Sequence, residues 1–287
     1  MRIYLMTDIE GVAGVQNALD WTRPGHYWYD LARQLLTEEV NAALDGFFAA
    51  GADEVLVADG HGPSAVDIQS LDPRAEYMRG WPAGWPLGLE EGGYDYLAFV
   101  GQHAKARTPL SNMTHTQSYR YLELSVNGVA IGEFGQLAMC ASELGVRTIF
   151  AAGERALAVE AQALVPGIGT VWGKRGTRAG RGDECTEEAY RARNGSAVHF
   201  HPQQSRAKIR DGALRSLRRA EHDDSFGLVP LEPPYRSVCV LRPCEAESRH
   251  MFGIQEHAHS VAAVMSPAPG SLEPMADNDQ LRELLVD

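Results

Sequence analysis

Met1-Arg2-Ile3-Tyr4-Leu5-Met6-Thr7-Asp8-Ile9-Glu10-Gly11-Val12-Ala13-Gly14 is the stretch whose reading decides the fold. Ile3, Leu5, Thr7 and Ile9 share one parity, and Tyr4, Met6, Asp8 and Glu10 share the other. A short, largely apolar run of this kind reads as a first β-strand. Side chains two apart in a strand point the same way. If the strand continues through residue 10, both carboxylates project from one face at the carboxyl edge of the sheet. Open α/β sheets build their sites at that edge. Two carboxylates held together repel, and a metal cation is one way to keep both ionised. The plain alternative is a strand ending in acidic turn residues.

Outward from this stretch the pattern repeats. Residues 16 to 26 read as a loop carrying Trp21, and 27 to 50 as a long helix with Leu31, Leu35, Val40, Leu44, Phe47 and Phe48 on its apolar stripe; Gly51 is placed to cap it. A second strand, 54 to 58, runs into Asp59-Gly60-His61-Gly62, and a third, 96 to 100, into Gly101-Gln102-His103. Strand-helix-strand order implies parallel neighbours in a doubly wound sheet. Asn127-Gly128 marks a hairpin between 121–126 and 129–131, which leads to Gly132-Glu133. A helix over 136–144, a strand over 147–151 and a helix over 154–164 follow. Val66 to Leu71 is a short strand or turn, and residues 73 to 93 hold too many Gly, Pro and Trp residues for a regular element. Trp81 and Trp85 there suit a pocket wall, a subunit contact or simple packing.

The second half has a different texture. Lys174, Arg175, Arg178 and Arg181 make 169–181 the most basic stretch, read as a solvated loop, a contact to a substrate carboxylate or a contact to an acidic neighbour. Helices are expected over 184–193 and 203–220, a strand over 235–241, partial helix over 245–264 and a terminal helix over 279–286. The fold class expected is α/β, with a mostly parallel central sheet, flanking helices and a smaller C-terminal α+β domain. The division is a metal-binding catalytic domain over 1–165 and a second domain over 166–287, for assembly and pocket closure, with a soft boundary.

Bulk properties narrow the function. The 287 residues, 44% of them hydrophobic, suffice for a sizeable core. A formal net charge of -12 disfavours general binding to nucleic acid or acidic membranes. Cys140, Cys185, Cys239 and Cys244 form no CxxC pair, which fits a reduced cytoplasmic setting. Neither a signal peptide nor a membrane-length apolar run is read.

Asp8, Glu10, His61, His103 and Glu133 all fall at expected strand ends or their turns. Borderline cations such as zinc take imidazole and carboxylate together. Five ligands are too many for one four-coordinate site with an open position, and two cations sharing a carboxylate account for the count, with Asp8 the best bridge. His115, in an expected loop, either serves an oxyanion or a proton transfer or is a satisfied loop residue. The His199/His201 and His257/His259 pairs and His250 read as structural, with metal binding the lesser alternative for the pairs, and Cys140 as core.

Met6-Thr7-Asp8-Ile9-Glu10-Gly11, together with Asp59-Gly60-His61-Gly62, Gly101-Gln102-His103-Ala104, Thr114-His115-Thr116 and Asn127-Gly128 through Gly132-Glu133, resembles the zinc-dependent D-aminopeptidases of the DppA kind. Met6 stands where that family has serine, with Thr7 beside it as a substitute hydroxyl. The resemblance implies two zinc ions per chain: Asp8 bridging, Glu10 and His61 completing one, His103 and Glu133 the other. It also implies His115 as the catalytic pocket histidine, and a homodecamer of two stacked pentamers enclosing a chamber. The activity it implies is release of an N-terminal D-amino acid from short peptides by metal-activated water. The alternatives are a related metallo-hydrolase of L-peptides or other small amides, a ring-forming metal-containing binding protein without turnover, and a two-metal phosphate-ester hydrolase.

Overall fold

The computed structural model describes residues 1–268 and 270–286. In chain order the elements are β1 (Arg2–Thr7), α1 (Tyr29–Ala49), β2 (Glu54–Asp59), β3 (Glu76–Met78), β4 (Tyr96–Gln102), β5 (Tyr121–Val126), β6 (Val129–Ala130), α2 (Glu133–Glu143), β7 (Arg147–Glu154) and α3 (Arg155–Leu164). They continue with β8 (Gly169–Gly176), α4 (Glu187–Arg193), β9 (Ala197–His199), α5 (Pro202–His222), β10 (Tyr235–Leu241), β11 (Met251–His257), β12 (Glu273–Pro274) and α6 (Asn278–Leu284). Short 3-10 turns occupy Leu89–Glu91 and Ala262–Val264.

Seven strands form the central sheet in the order β3-β2-β1-β4-β7-β8-β9. All neighbours are parallel except β8 and β9. The alternation read in the first strand is real: Ile3 and Leu5 enter one core beneath α1 and α5, while Tyr4 and Met6 enter the other beside α2 and α3. Phe47 of α1 meets Phe150 of β7 edge-on across the first core, with ring centroids 5.9 Å apart. β1 connects through α1 to β2 on one side, and the chain then returns to place β4 on the other. The strand order therefore reverses at the β1/β4 junction, where α/β sheets open a crevice.

A second, antiparallel sheet runs β12-β11-β10-β5-β6. Its β5/β6 hairpin turns through Asn127 (φ 48°) and Gly128 (φ 79°), the left-handed pair that a two-residue hairpin requires. One face packs in the second core; Leu122, Val238, Val240 and Met275 form a small cluster of their own, against which α6 lays Leu281 and Leu284. The mixed α/β fold with a second sheet is thus as expected. The boundary expected near residue 165 falls between β7 and β8, which are neighbours in one sheet, and β5 and β6 from the first half supply strands to the other.

Four local expectations need correction. β1 stops at Thr7, because the Ile9 amide turns back to Asp8 Oδ1 (2.8 Å) and Gly11 N crosses to the Gly101 carbonyl (2.7 Å). Residues 169–176 are strand β8 rather than loop, paired to β7. Met251–His257 is strand β11, since β10 offers it a full ladder. Glu76–Met78 is an edge strand beside β2 in a stretch with too many Gly, Pro and Trp residues to read as regular.

Candidate metal centre

Each expected ligand emerges where a chain segment leaves the sheet. Asp8 and Glu10 follow β1, His61 follows β2, and His103 follows β4. Glu133 opens α2, where the helix N-terminus favours a carboxylate. The close crossing of the β1 and β4 loops depends on glycine. A Cβ on Gly101, which has φ 80°, would stand 1.9 Å from the Asp8 carbonyl oxygen.

Asp8 lies at the centre. His61 Nδ1 is 3.2 Å from its Oδ1, and His103 Nε2 is 3.2 Å from its Oδ2. His61 Nδ1 also lies 3.3 Å from Glu10, and His103 Nε2 lies 3.7 Å from Glu133. Donor atoms of Asp8, Glu10 and His103 fall within 4.8 Å of one another, as do those of His103, His115 and Glu133. The six residues expected at the site therefore converge.

The tautomers can be read from the far ring nitrogens. His61 Nε2 donates to Thr22 O (2.7 Å), His103 Nδ1 to Ala104 O (2.9 Å) and His115 Nδ1 to Met113 O (2.8 Å). A carbonyl only accepts, so each of these nitrogens carries hydrogen. In the neutral ring the other nitrogen presents a lone pair, and in all three it faces carboxylate oxygen. Lone pairs facing carboxylates need a proton or a metal ion between them. Anchoring one ring nitrogen on a carbonyl while the other faces the site is the arrangement found around metal-ligating histidines.

The electrostatics agree. Burial lowers the His103 and His61 pKa values, yet Glu133, Asp8 and Glu10 raise His103, and Glu10 and Asp8 raise His61, well above the usual histidine range. Asp8 would be raised by burial, but His103 and His61 hold it well below the usual carboxylate range. Burial pushes Glu133 up to about 7, against the pull of His103. Burial, and then the His103 charge, drives His115 well below the usual value, so its ring is neutral. Within the cluster Glu10 Oε2, His103 Nε2 and Glu133 Oε2 are buried with no hydrogen-bond partner among the described residues. Orphaned acceptors and an orphaned imidazole nitrogen grouped at one point are the donor set a borderline divalent cation requires.

The cluster opens into a cavity of about 530 Å³, lined also by Trp81, Trp85, Tyr119 and Arg191. That volume suits a small ligand. The two tryptophans thus serve the wall. His103 and His115 stack with centroids 3.9 Å apart, and Tyr119 stacks on His115 at 4.5 Å.

Neighbouring residues serve as supports. Gln102 Nε2 donates to Asp8 Oδ2 (3.1 Å) and orients that carboxylate. Its signal in the sequence was its place between Gly101 and His103. Asp59 accepts from the Ala65 and Val66 amides and from Ser64 and Tyr77, and so holds the loop after β2. Arg79 donates to the carbonyls of Asp59 and His61 in the same loop. Thr7 donates its hydroxyl to Ala58 O (3.2 Å), so it does not offer the hydroxyl missing at Met6. Lys174 is wholly buried, donating to Val15 O and Asn112 Oδ1 at 2.8 Å each, and burial lowers it to about 8. It is neither a solvated loop residue nor a surface contact. His199 accepts from the Gly14 amide, and His201 caps α5. Cys140 is buried in α2.

Residues 1–262 match the peptidase M55 family, whose description is D-aminopeptidase. Over 174 residues the chain is 30% identical to the D-aminopeptidase of Bacillus subtilis strain 168. That alignment covers 59% of this chain and 62% of the relative, so it spans under two thirds of the relative's length. Among solved structures the chain is similar to the zinc-dependent D-aminopeptidase DppA of Bacillus subtilis, a self-compartmentalizing protease. The TM-score is 0.72 at 22% identity, covering 92% of this chain and 94% of the other, a likeness of fold.

Proposed function

The chain belongs to the peptidase M55, D-aminopeptidase, family, and from that premise we propose that it is a dizinc aminopeptidase releasing an N-terminal D-residue from short peptides. One observation carries the reading. Three imidazoles, each pinned through one nitrogen to a carbonyl, turn the other towards Asp8, Glu10 and Glu133, and among the described residues Glu10, Glu133 and His103 keep orphaned atoms. In this reading Asp8, which lies between His61 and His103, would be shared between two zinc ions. Glu10 and His61 complete one set of protein ligands, and His103 and Glu133 the other.

When bound, the metal pair supplies Lewis acidity and activates water near neutral pH. The chain's own residues do the rest. The carboxylate-rich floor receives the free amino terminus and sets the first peptide bond beside the cluster. His115, neutral and held at Nδ1, accepts a proton at Nε2 and returns it to the departing amine. The His115–Tyr119 stack and the Trp81–Trp85 loop form walls against which the configuration at the substrate Cα is discriminated. No helix among the described residues is long and apolar enough to cross a membrane. The four cysteines are free, which supports a reducing, cytoplasmic setting. Exposed Leu19, Tyr27, Trp28 and Leu31 support self-association, and the family resemblance supports a decamer.

The test is amine release from D-Ala-D-Ala, L-Ala-L-Ala and their N-acetylated forms by zinc-loaded protein, with metal measured on the same sample. Two metals per chain and cleavage of the free D-peptide alone is the expected result. Two metals without D-peptide cleavage would keep the site and transfer the activity to L-peptides, other amides or phosphate esters. Cleavage undiminished by acetylation would overturn the aminopeptidase assignment.

A further inference from the structure

The carboxylates occupy the more enclosed part of the cavity, and a cation stands in its more open part. Side-chain exposure is 6% for Glu10, 12% for Asp8 and 22% for Glu133, against 35% for Arg191. Arg191 lies over the Tyr119 ring, its guanidinium carbon 5.4 Å from the centroid. Tyr119 stacks on His115, and His115 on His103. The guanidinium is therefore one aromatic layer removed from His115 and two from His103. That separation accommodates only a few extended residues, at roughly 3.5 Å each.

Arg191 is held in place rather than free to swing. Its neighbour Tyr190 is fully buried, accepts the Arg107 amide at 2.8 Å and lies under Arg242, 3.7 Å from the ring centroid. The hydrogen bond that Arg191 itself makes among the described residues is a 3.4 Å contact from Nη2 to Glu187, at the long limit for such a bond. A guanidinium has five donors, arranged to take a carboxylate in a bidentate way. Stacking on Tyr119 pre-organises that fork.

We infer that Arg191 anchors the C-terminal carboxylate of the peptide, and so restricts the enzyme to di- and tripeptides with a free C-terminus. This rests on the aminopeptidase reading above. It gives the cavity two opposed ends, an acidic, metal-binding end for the amino terminus and a basic end for the carboxylate. Longer peptides would have to carry their chain past Arg191, leaving it, among the described residues, only the long contact to Glu187.

The test compares a D-alanyl dipeptide as free acid and as C-terminal amide, on zinc-loaded wild-type, Arg191→Met and Arg191→Lys proteins. In the wild type, amidation is expected to raise KM about tenfold with kcat little changed. Arg191→Met should raise KM for the acid by a similar factor and leave the amide unaffected, and Arg191→Lys should recover part of the loss. Equal KM for acid and amide in the wild type, or an equal rise for both in Arg191→Met, would overturn the anchor and leave the aminopeptidase standing. If the wild type cleaves neither peptide, the aminopeptidase reading fails. Calorimetry with the same two peptides then decides the anchor: tighter binding of the acid supports it, and equal affinity overturns it.

Discussion

Two buried polar clusters share the carboxyl edge of the central sheet, and they are built on opposite terms. In one, Glu154 accepts from Ala104 N, Asn112 N and the Ser111 hydroxyl, while Lys174 donates to Asn112 Oδ1 and Val15 O. Glu39 nearby accepts from Ser205 Oγ and Ala13 N. In the other, the five candidate ligands approach one another closely, and among the described residues Glu10, Glu133 and His103 each keep an orphaned atom. Burying a polar group without a partner is costly. The contrast supports the proposal that the second cluster takes a ligand. The first fixes the course of the 104–112 segment; the second is the candidate cation site.

The largest test of this contrast is Asp8→Ala. Loss of the central carboxylate should abolish two-metal occupancy and lower kcat/KM by at least about 1000-fold, the several kcal/mol a metal centre contributes. The unloaded protein should lose some stability too, since the Ile9 amide and Gln102 Nε2 lose their acceptor, but the main loss is of metal affinity. Metal analysis and calorimetry read both, and undiminished zinc stoichiometry would remove Asp8 from the bridge. Glu154→Ala should do the reverse. It leaves two amides and a hydroxyl unpaired, so urea unfolding should show a loss of about 2–4 kcal/mol. A stability equal to the wild type would break the distinction.

The smallest effect sharpens the satisfied cluster. Burial raises Glu39 to about 7, so the folded protein holds this proton more tightly than the unfolded chain. Its contribution to stability is fully present below the unfolded value near 4.5 and is lost as pH rises through about 7. Glu39→Gln should flatten that slope, gaining on the wild type by at most about 3 kcal/mol between the two limits. Parallel melting-temperature profiles for the two proteins across this range would show that Glu39 ionises freely.

Residues carried by consecutive strands were legible. The parity of Ile3 through Met6 announced a strand with two buried faces, and the Asp-Gly-His and Gly-Gln-His turns announced strand ends. Parallel strands bring such turns to one edge, so Asp8, Glu10, His61, His103 and Glu133 could be grouped before any coordinates were known. Lys174 misled because basic residues among glycines look solvated, and only the arrival of Val15 and Asn112 from remote segments buries the ammonium. β11 misled because a strand stabilised by a distant partner need not show its own periodicity. Arg191 carried no local signal, since the Tyr119 ring that presents it to the cavity comes from another part of the chain.

By itself the sequence determined the doubly wound arrangement and the family and singled out a candidate ligand set, because each rests on short-range pattern: alternation, crossover and residues at turns. Tertiary structure alone decided which nitrogen of each histidine faces the carboxylates, which carboxylate lies between two imidazoles, and that Arg191 reaches the cavity. Those choices depend on carbonyls and rings delivered by segments far apart in the chain, and their energies arise only when packing excludes water.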